Sequence, residues 1–314
     1  MKTAILLTDG KAGHENQSRA FVRALGCEPV VVRTEFRSRA FKALSYLLDR
    51  LGIRTRALFR TDPPSIPSGA SAVVGTGSGT FYAAKAIAAD LGVKCGVVLY
   101  PRGYALSGFD CILAPSFDRP PAAPNVVEVP ANLVAADAEF YAKGVESFAA
   151  HYERTCGRRL DRSADAVAVI VGGPNKCSTM TPEWMKARLD EIFAGRRGAE
   201  MWVTTSRRTP ADVEAVVDSY PWNYRLVFSR DRFNPIPAFV ALAGRLYVTA
   251  ESTGMLSEAC TFGSAEVLAL DNLNPGRHKF RRFLEGLEAA GYANGKRKID
   301  LSGQFAAARR LMGL

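Results

Sequence analysis

The stretch Ala4-Ile5-Leu6-Leu7-Thr8, followed directly by Asp9-Gly10-Lys11-Ala12-Gly13-His14, begins the chain with a short apolar run and a glycine-containing loop. An apolar run of this length, bounded by turn residues, is typical of a strand that is buried on both faces. Residues 15–25 continue with helical periodicity. Such a strand, loop and helix form the repeating unit of a parallel α/β sheet.

The same alternation continues along the chain. In the first half it predicts strands at residues 4–8, 29–33, 72–75, 95–100, 111–114 and 126–129, and helices at 15–25, 36–51, 80–91 and 137–157. In the second half it predicts strands at 166–171, 201–205, 225–228, 246–250 and 266–270, helices beginning near Pro182, Pro210, Pro235 and Gly254, and closing helices at 278–290 and 302–313. We therefore predict an α/β protein of two doubly wound Rossmann-like domains, residues 1–158 and 159–314, facing each other across a cleft. The final helix, 302–314, is expected to cross back onto the N-terminal domain.

Length and composition agree with two globular domains. The chain has 314 residues, 47% of them apolar and 23% charged, which excludes disordered and fibrous classes. Its six cysteines form no Cys-x-x-Cys pair, so neither a disulfide framework nor a zinc site is predicted. No apolar run resembles a signal peptide or reaches the roughly 20 residues of a membrane span. We expect a cytoplasmic protein, with peripheral attachment to the inner face of a membrane as an additional hypothesis.

Positive charge is concentrated in one segment. The net charge is +10, and residues 33–60 hold eight basic side chains against two acidic ones. The helix predicted there has an apolar stripe: Phe36, Ala40, Phe41, Leu44, Leu47, Leu48 and Leu51. One interpretation packs this stripe on the protein's own sheet; the other places it against an anionic membrane surface or a lipid-linked acceptor. No nucleic-acid-binding motif accompanies the charge, so no nucleic-acid partner is predicted.

Three strand-to-helix loops are rich in glycine, at residues 9–14, 75–80 and 172–175. Glycine lets backbone N–H groups approach a phosphate, although a tight turn alone also favours glycine. Together the three loops predict a ligand cleft. On the acceptor side of that cleft we place Gly10, Lys11, Gly13, Gly75, Gly77 and Ser78.

Several common phosphate and metal motifs are absent. There is no G-x-G-x-x-G after the first strand and no G-x-x-x-x-G-K-[ST], and Tyr82 and Lys85 miss the Y-x-x-x-K spacing of short-chain reductases and sugar epimerases. An Asp-x-Asp metal grip is missing too. We therefore predict no cofactor and no metal.

Three segments carry a resemblance to a known family: residues 9–18, residues 206–210, and residues 234–259, which include Thr249-Ala250-Glu251-Ser252-Thr253-Gly254. They resemble the mitochondrial-fission ELM family, which includes a bacterial branch of candidate glycosyltransferases, and the resemblance spans nearly the whole chain. More distantly, the pattern is similar to GT-B N-acetylglucosaminyltransferases of peptidoglycan synthesis, from which Lys11 and Pro174 depart. The resemblance implies a GT-B-like fold and a nucleotide-sugar donor.

The same resemblance assigns roles in the C-terminal half. The Ser257-Glu258 pair is expected on the ribose, because a carboxylate accepts two hydroxyl hydrogen bonds. The other expected donor-binding residues are Gly172, Gly173, Asn175, Ser206, Arg207, Ser252, Thr253, Gly254, Asn272 and Asn274. Arg207 and Arg208 end a strand at the same cleft and could neutralise the diphosphate leaving group. Alternatively Glu258 is a helix-dipole carboxylate, Asn272 and Asn274 are turn residues, and the two arginines are surface charge.

His14 is the candidate catalytic base. Sugar transfer needs a group that takes the acceptor hydroxyl proton, and imidazole titrates near neutral pH. Of the three histidines, only His14 lies in a loop of the required kind, with Asp9 able to orient the imidazole or to act as the base itself. The alternative is that His14 caps the helix.

Our leading hypothesis is metal-independent transfer of a sugar from a nucleotide-activated donor to an acceptor, with a lipid-linked acceptor considered. The alternative, implied by the plant branch of the family, is a non-catalytic interaction protein that recruits partners to a membrane on a GT-B scaffold. A nucleotide-sugar epimerase is a third hypothesis, disfavoured because Tyr82 and Lys85 miss the reductase spacing and no G-x-G-x-x-G follows the first strand.

Overall fold

A computed structural model of the protein describes residues 2–195 and 198–314. The chain forms two compact units. The first contains residues 2–135 together with Asp300–Leu314, and the second contains Ala136–Ile299.

The first unit is built on a seven-stranded sheet in the order β3-β2-β1-β4-β5-β6-β7. Its strands are β1 (Thr3–Thr8), β2 (Glu28–Phe36), β3 (Phe59–Asp62), β4 (Ala72–Thr76), β5 (Lys94–Val98), β6 (Cys111–Pro115) and β7 (Val126–Val129). Its helices are α1 (Ala12–Ala24), α2 (Arg39–Arg50), α3 (Phe81–Leu91) and α10 (Ser302–Met312). All strand pairs are parallel except β2 with β3.

Strand β1 shows why the sheet has this order. Ile5 and Leu7 pack on one face with the core that contains α3, and Ala4 and Leu6 pack on the other face with α1 and α10. A strand buried on both faces belongs at the centre of a parallel sheet. The carboxyl ends of β1 and β4 therefore lie side by side, and the first two glycine loops follow them.

The second unit has a five-stranded, wholly parallel sheet in the order β10-β9-β8-β11-β12. Its strands are β8 (Ala166–Ile170), β9 (Glu200–Thr204), β10 (Tyr224–Leu226), β11 (Arg245–Thr249) and β12 (Glu266–Leu270). Its helices are α4 (Ala138–Cys156), α5 (Pro182–Ala194), α6 (Ala211–Asp218), α7 (Ile236–Leu242), α8 (Thr253–Thr261) and α9 (Lys279–Ala289).

The units divide at residues 135/136 and 299/300, whereas the sequence placed the boundary at 158/159. Helix α4 accounts for the difference. Its Phe148 is fully buried, with ring centroids 5.3 Å from Trp202 and 4.8 Å from Tyr224, so the helix belongs to the core of the second unit. The final helix belongs to the first unit, where Met312 is buried and Arg309 donates a hydrogen bond to the Ala24 carbonyl.

One strand was not predicted. Residues 59–62, Phe-Arg-Thr-Asp, form β3 at the edge of the first sheet, antiparallel to β2. Four residues of mostly polar character carry too weak a pattern to be recognised as a strand.

Candidate functional site

The strongest cluster of polar groups in the second unit lies where β8, β9, β11 and β12 end. Residues 172–173 follow β8, residues 206–209 follow β9, Glu251 follows β11, and Asn272 follows β12. In a parallel sheet the carboxyl ends of neighbouring strands form one edge, which is where α/β proteins bind ligands.

Glu251 is the centre of this edge. Its side chain is fully buried. One carboxylate oxygen accepts the N–H of Gly173 at 2.8 Å, and the other accepts the Asn272 side-chain amide at 2.9 Å. Asn272 in turn accepts the Glu251 backbone N–H at 3.3 Å, and the Arg208 guanidinium lies 3.8 Å from the carboxylate. A buried carboxylate needs such partners, because desolvation otherwise disfavours its charge.

This network explains the two glycines of the third loop. A Cβ at Gly172 would overlap the Glu251 carboxylate, and a Cβ at Gly173 would overlap the Arg208 backbone carbonyl. The N–H of Gly172 donates to Thr249 Oγ1 at 2.8 Å, so both glycine donors expected on phosphate are used inside the protein. Asn272, another of the expected donor-binding residues, likewise holds Glu251 in place.

A pocket of about 260 Å³ opens beside this network. Its walls combine a cationic side with an apolar side formed by aromatic, aliphatic and thioether side chains. The lining residues are Thr204, Thr205, Ser206, Arg207, Arg208, Phe228, Arg232, Phe233, Asn234, Pro235, Ile236 and Met255.

The cationic side of the pocket contains Arg207, Arg208 and Arg232. Within the part of the chain that the structure describes, Arg207 and Arg232 form no ion pair with a carboxylate. Ser206 forms a turn in which its N–H donates to Thr209 Oγ1 at 2.8 Å. The sequence had assigned Ser206 and Arg207 to the donor, and the structure places both in the wall of the pocket.

The apolar side is supported from behind by α4. Phe233 stacks on His151, with ring centroids 4.2 Å apart. His151 Nε2 lies 2.9 Å from an Asp231 carboxylate oxygen, and its Nδ1 lies 3.0 Å from the Tyr224 hydroxyl. The hydrogen bond from the Phe233 backbone and that from His151 both lower the pKa of Asp231. These contacts fix the 231–233 segment of the pocket wall.

Glu258 lies on α8 and accepts a hydrogen bond from the Tyr141 hydroxyl of α4 at 3.3 Å. Burial raises the pKa of the Glu258 carboxyl, and the Tyr141 hydrogen bond only partly offsets this. Ser257, its expected partner on the ribose, is buried and donates its hydroxyl proton to the Thr253 carbonyl at 2.6 Å. The structure therefore does not present Ser257 and Glu258 as a free pair.

The remaining expected donor residues have varied positions. Ser252 precedes α8 and is buried, Thr253 is the first residue of α8, and Gly254 is exposed with open space around it. Asn175 accepts the Cys177 N–H at 2.7 Å, and Asn274 accepts the Thr179 hydroxyl at 2.7 Å. Asn175 thus holds its own loop, as a turn residue does, whereas Asn274 connects the segment after β12 to Thr179, 95 residues earlier in the chain.

In the first unit the structure brings Asp9 and His14 together. His14 Nδ1 lies 3.1 Å from both carboxylate oxygens of Asp9, and Lys11 Nζ donates to Asp9 at 2.7 Å. Burial raises the pKa of Asp9, but the hydrogen bond from Lys11 and the charge of His14 outweigh it and the pKa is lowered overall. When Nδ1 donates its proton to the ionised Asp9, Nε2 keeps a free lone pair.

The second glycine loop packs directly on this pair. A Cβ at Gly77, whose φ is +82°, would come within 2.7 Å of His14 Nδ1, and a Cβ at Gly79 would come within 2.9 Å of the Asp9 Cβ. Glycine is required here because the backbone touches the imidazole.

The other residues expected on the acceptor side surround these contacts. Gly10 adopts a φ of +81° beside the Arg33 guanidinium, Lys11 precedes α1, and Gly13 lies in α1 with open space around it. Gly75 is a residue of β4 packed on Thr80, and Ser78 accepts a hydrogen bond from Lys42 Nζ at 2.9 Å.

The sequence did not point to Glu251, to Arg232 or to the aromatic wall of the pocket, whereas Arg208 was expected beside Arg207 and also lines the pocket. Glu251 had a usable signal, because a carboxylate directly after an apolar strand lies at the ligand edge of a parallel sheet. Arg232 and Phe233 lie four and five residues beyond the strand expected at 225–228, and no sequence pattern pointed to them. No cluster of three or more metal-ligating side chains occurs among residues 2–195 and 198–314.

The two parallel-dominated sheets are found together in solved nucleotide-sugar enzymes. The chain is similar to UDP-GlcNAc 2-epimerase from Neisseria meningitidis bound to UDP-GlcNAc (TM-score 0.53, 13% identity, 100% of this chain and 98% of that chain). It is also similar to UDP-GlcNAc 2-epimerase from Methanocaldococcus jannaschii (TM-score 0.53, 12% identity, 100% of this chain and 98% of that chain). A third similar structure is S. aureus MnaA with UDP (TM-score 0.52, 14% identity, 99% of this chain and 88% of that chain). The fold is therefore GT-B-like.

The family is more specific than the fold. The model of the mitochondrial fission ELM1 family matches residues 12–304, and the chain belongs to that family. A search of curated proteins finds no significant match.

Proposed function

We propose that the protein is a glycosyltransferase that takes a sugar from a nucleotide-activated donor bound in the second unit. The pocket at residues 204–208 and 228–236 carries this proposal. Its aromatic and aliphatic wall suits a nucleobase, and its arginines suit a diphosphate, which a guanidinium binds with paired hydrogen bonds. Ligand pockets combine an apolar lining with a few polar groups in this way.

The cationic side of the pocket supplies the electrostatic part of the reaction. When the bond between the anomeric carbon and the diphosphate oxygen breaks, the diphosphate leaves with the electron pair. Arg207 and Arg232 stabilise this negative charge, and Arg208 is held beside them by the Glu251 network. The proposal needs neither a metal nor a cofactor.

His14 supplies the base. Its Nε2 takes the proton of the acceptor hydroxyl while the acceptor oxygen forms the new bond to the anomeric carbon. Asp9, 3.1 Å from Nδ1, holds the imidazole in the tautomer that leaves Nε2 free and stabilises the imidazolium that forms.

The acceptor is proposed to be carried on a lipid. Ser78 of the second glycine loop is hydrogen-bonded to Lys42 of α2 at 2.9 Å, and α2 carries the most exposed apolar side chains of the first unit. A hydroxyl presented from a membrane would reach the loops that hold His14 from this side.

A thermal-shift screen of nucleotides and nucleotide sugars tests the donor. A ligand at 100 times its Kd adds about 2.7 kcal/mol of stability, which raises the melting temperature measurably. The reaction product then distinguishes a glycosyltransferase from an epimerase, because sugar transfer requires an added acceptor, whereas epimerisation proceeds without one. Absence of any shift across uridine, guanosine and thymidine diphosphate sugars would leave the interaction-protein alternative.

His14→Ala tests the base. Turnover should fall by a factor of about 10² to 10⁴, the usual contribution of a general base, while nucleotide affinity stays nearly unchanged. His278→Ala is the matched control, because His278 begins a helix of the other unit. Full activity of the His14 variant would transfer the role to Asp9.

A further inference from the structure

Helix α2 is oriented with its apolar stripe outward. Ser45 and Asp49 are its buried residues, whereas Leu47 and Leu51 are 55% and 64% exposed. At about 100° per residue, Leu44, Leu47 and Leu51 share one narrow face opposite Ser45 and Asp49. The first interpretation of the sequence, a stripe packed on the protein's own sheet, is wrong for these three leucines.

A buried ionic anchor holds the helix in this orientation. The Asp49 carboxylate accepts hydrogen bonds from Lys85 Nζ at 2.8 Å and from the Ala105 N–H at 2.7 Å, and it pairs with Arg54 at 3.2 Å. Ser45 adds a hydrogen bond to the Tyr104 hydroxyl at 2.9 Å. Turning the leucines inward would expose or separate these groups, so the apolar face is fixed toward the outside.

Exposed apolar side chains are concentrated at this place. Among the residues that the structure describes, five of the exposed large apolar side chains lie in α2 or directly after it: Phe41, Leu44, Leu47, Leu51 and Ile53. The other two are Val31 on β2 and Phe140 in the second unit. A clustered apolar face marks an interaction surface, whereas single exposed leucines do not.

The charge around this face is strongly positive. Arg37, Arg39 and Arg50 are exposed next to the leucines. Of the two acidic residues between positions 33 and 60, Asp49 is buried in its anchor, so Glu35 alone is exposed. An apolar helix face flanked by arginines is the arrangement with which helices lie on an anionic lipid surface.

We propose that the outward face of α2, formed by Leu44, Leu47 and Leu51 with Phe41 at its edge and Arg39 and Arg50 beside it, docks the protein on an anionic membrane. The apolar side chains enter the boundary between headgroups and acyl chains, and the arginines bind lipid phosphates. The proposal deepens the proposed function, on which its link to a lipid-carried acceptor rests. The test of membrane docking uses neither nucleotide nor acceptor, so the docking proposal and the proposed function can fail independently of each other.

Sedimentation with vesicles tests the docking. Vesicles that contain phosphatidylglycerol should pellet the protein at low salt, less so at high salt, and pure phosphatidylcholine vesicles should pellet it weakly. Leu47→Ser/Leu51→Ser should weaken binding by at least about tenfold, since each leucine loses its burial in lipid. Phe140→Ser is the matched control, an exposed apolar residue of the other unit that should bind like the wild type.

The arginines are tested separately. Arg39→Gln/Arg50→Gln should weaken binding to the anionic vesicles by about 25-fold at low salt, about fivefold for each charge. Arg159→Gln removes an exposed arginine elsewhere and should change nothing. The proposal would be overturned if the wild type and the leucine variant pelleted equally with anionic vesicles. It would also be overturned if the protein formed a stable dimer that does not bind vesicles and that Leu47→Ser dissociates, because α2 would then be an interface between copies.

Discussion

At the scale of single residues, Asp9 and His14 were predictable because Asp9 directly follows β1 and His14 lies five residues later, in the first turn of α1. Glu251 was not assigned a role, although it lies in a quoted motif. Its role depends on Gly173 and Asn272, which are distant in sequence and meet only when β8, β11 and β12 are adjacent. Local sequence patterns predict residues that are close together in the chain, but not a side chain that connects residues following three different strands.

Glu251→Ala should lower the stability of the protein. The change leaves the Gly173 N–H and the Asn272 amide buried without their acceptor, at about 1 to 3 kcal/mol each. Glu251→Gln keeps one acceptor oxygen and should cost less. Urea denaturation measures both, and an alanine variant as stable as the wild type would contradict the role of the network.

Gly77→Ala should displace the His14 imidazole. The backbone strain of alanine at a φ of +82° costs about 1 to 2 kcal/mol, and the Cβ also collides with Nδ1. Gly69→Ala is the matched control, because its φ is +83° with nothing nearby. In nuclear magnetic resonance spectra, the chemical shifts of the His14 imidazole protons should change in Gly77→Ala and not in Gly69→Ala. If these protons had the same chemical shifts in both variants, the contact between Gly77 and His14 would be contradicted.

Glu258→Gln should change how stability depends on pH. Because burial raises the pKa of Glu258 in the folded state, the unfolded carboxyl ionises first as pH rises. Its stabilising contribution is therefore complete below the ordinary carboxyl pKa of about 4.3 and is lost as pH passes the folded pKa. Melting curves measured across this pH interval should show a smaller loss of stability for the glutamine variant than for the wild type. If the stability of both proteins changed with pH in the same way, the raised pKa of Glu258 would be contradicted.

At the scale of elements, the strands and helices of both units were predicted well, since buried parallel strands produce apolar runs and helices produce a 3.6-residue period. Strand β3 and the orientation of α2 were not. The periodicity of α2 reveals a stripe but not which side faces the sheet. That choice is made by Asp49, whose partner Lys85 lies on another helix.

Asp49→Ala should destabilise the first unit by about 3 to 5 kcal/mol, because Lys85 stays buried without a counter-charge. Burial already lowers the pKa of Lys85. Asp90→Ala removes an exposed partner of Arg56 and should cost at most about 1 kcal/mol. Chemical denaturation compares the two; equal losses would show that the anchor is no stronger than a surface pair.

At the scale of the whole molecule, the number of units and the class of fold were predictable, because the alternation occurs twice. The boundary was predicted about twenty residues late, since the polar run at 158–164 resembles a linker but is a loop of the second unit. A linker pattern in sequence does not reveal which core the preceding helix joins.

A fragment of residues 136–299 should fold alone, whereas residues 159–314 should not. The second fragment lacks α4, whose Phe148 fills the space between Trp202, Tyr224 and Phe239. It also retains α10, which belongs to the first core. Cooperative melting followed by circular dichroism checks both, and the reverse result would contradict the observed division.

We propose that the pocket of the second unit binds a nucleotide sugar. Isothermal titration calorimetry of the full chain with the nucleotide sugar found by thermal shift tests it most directly. We expect one site per chain. Arg207→Gln/Arg232→Gln should weaken binding by about 10-fold to 150-fold for each charged hydrogen bond lost, while Arg159→Gln leaves Kd unchanged. A Kd that is the same in all three proteins would contradict it.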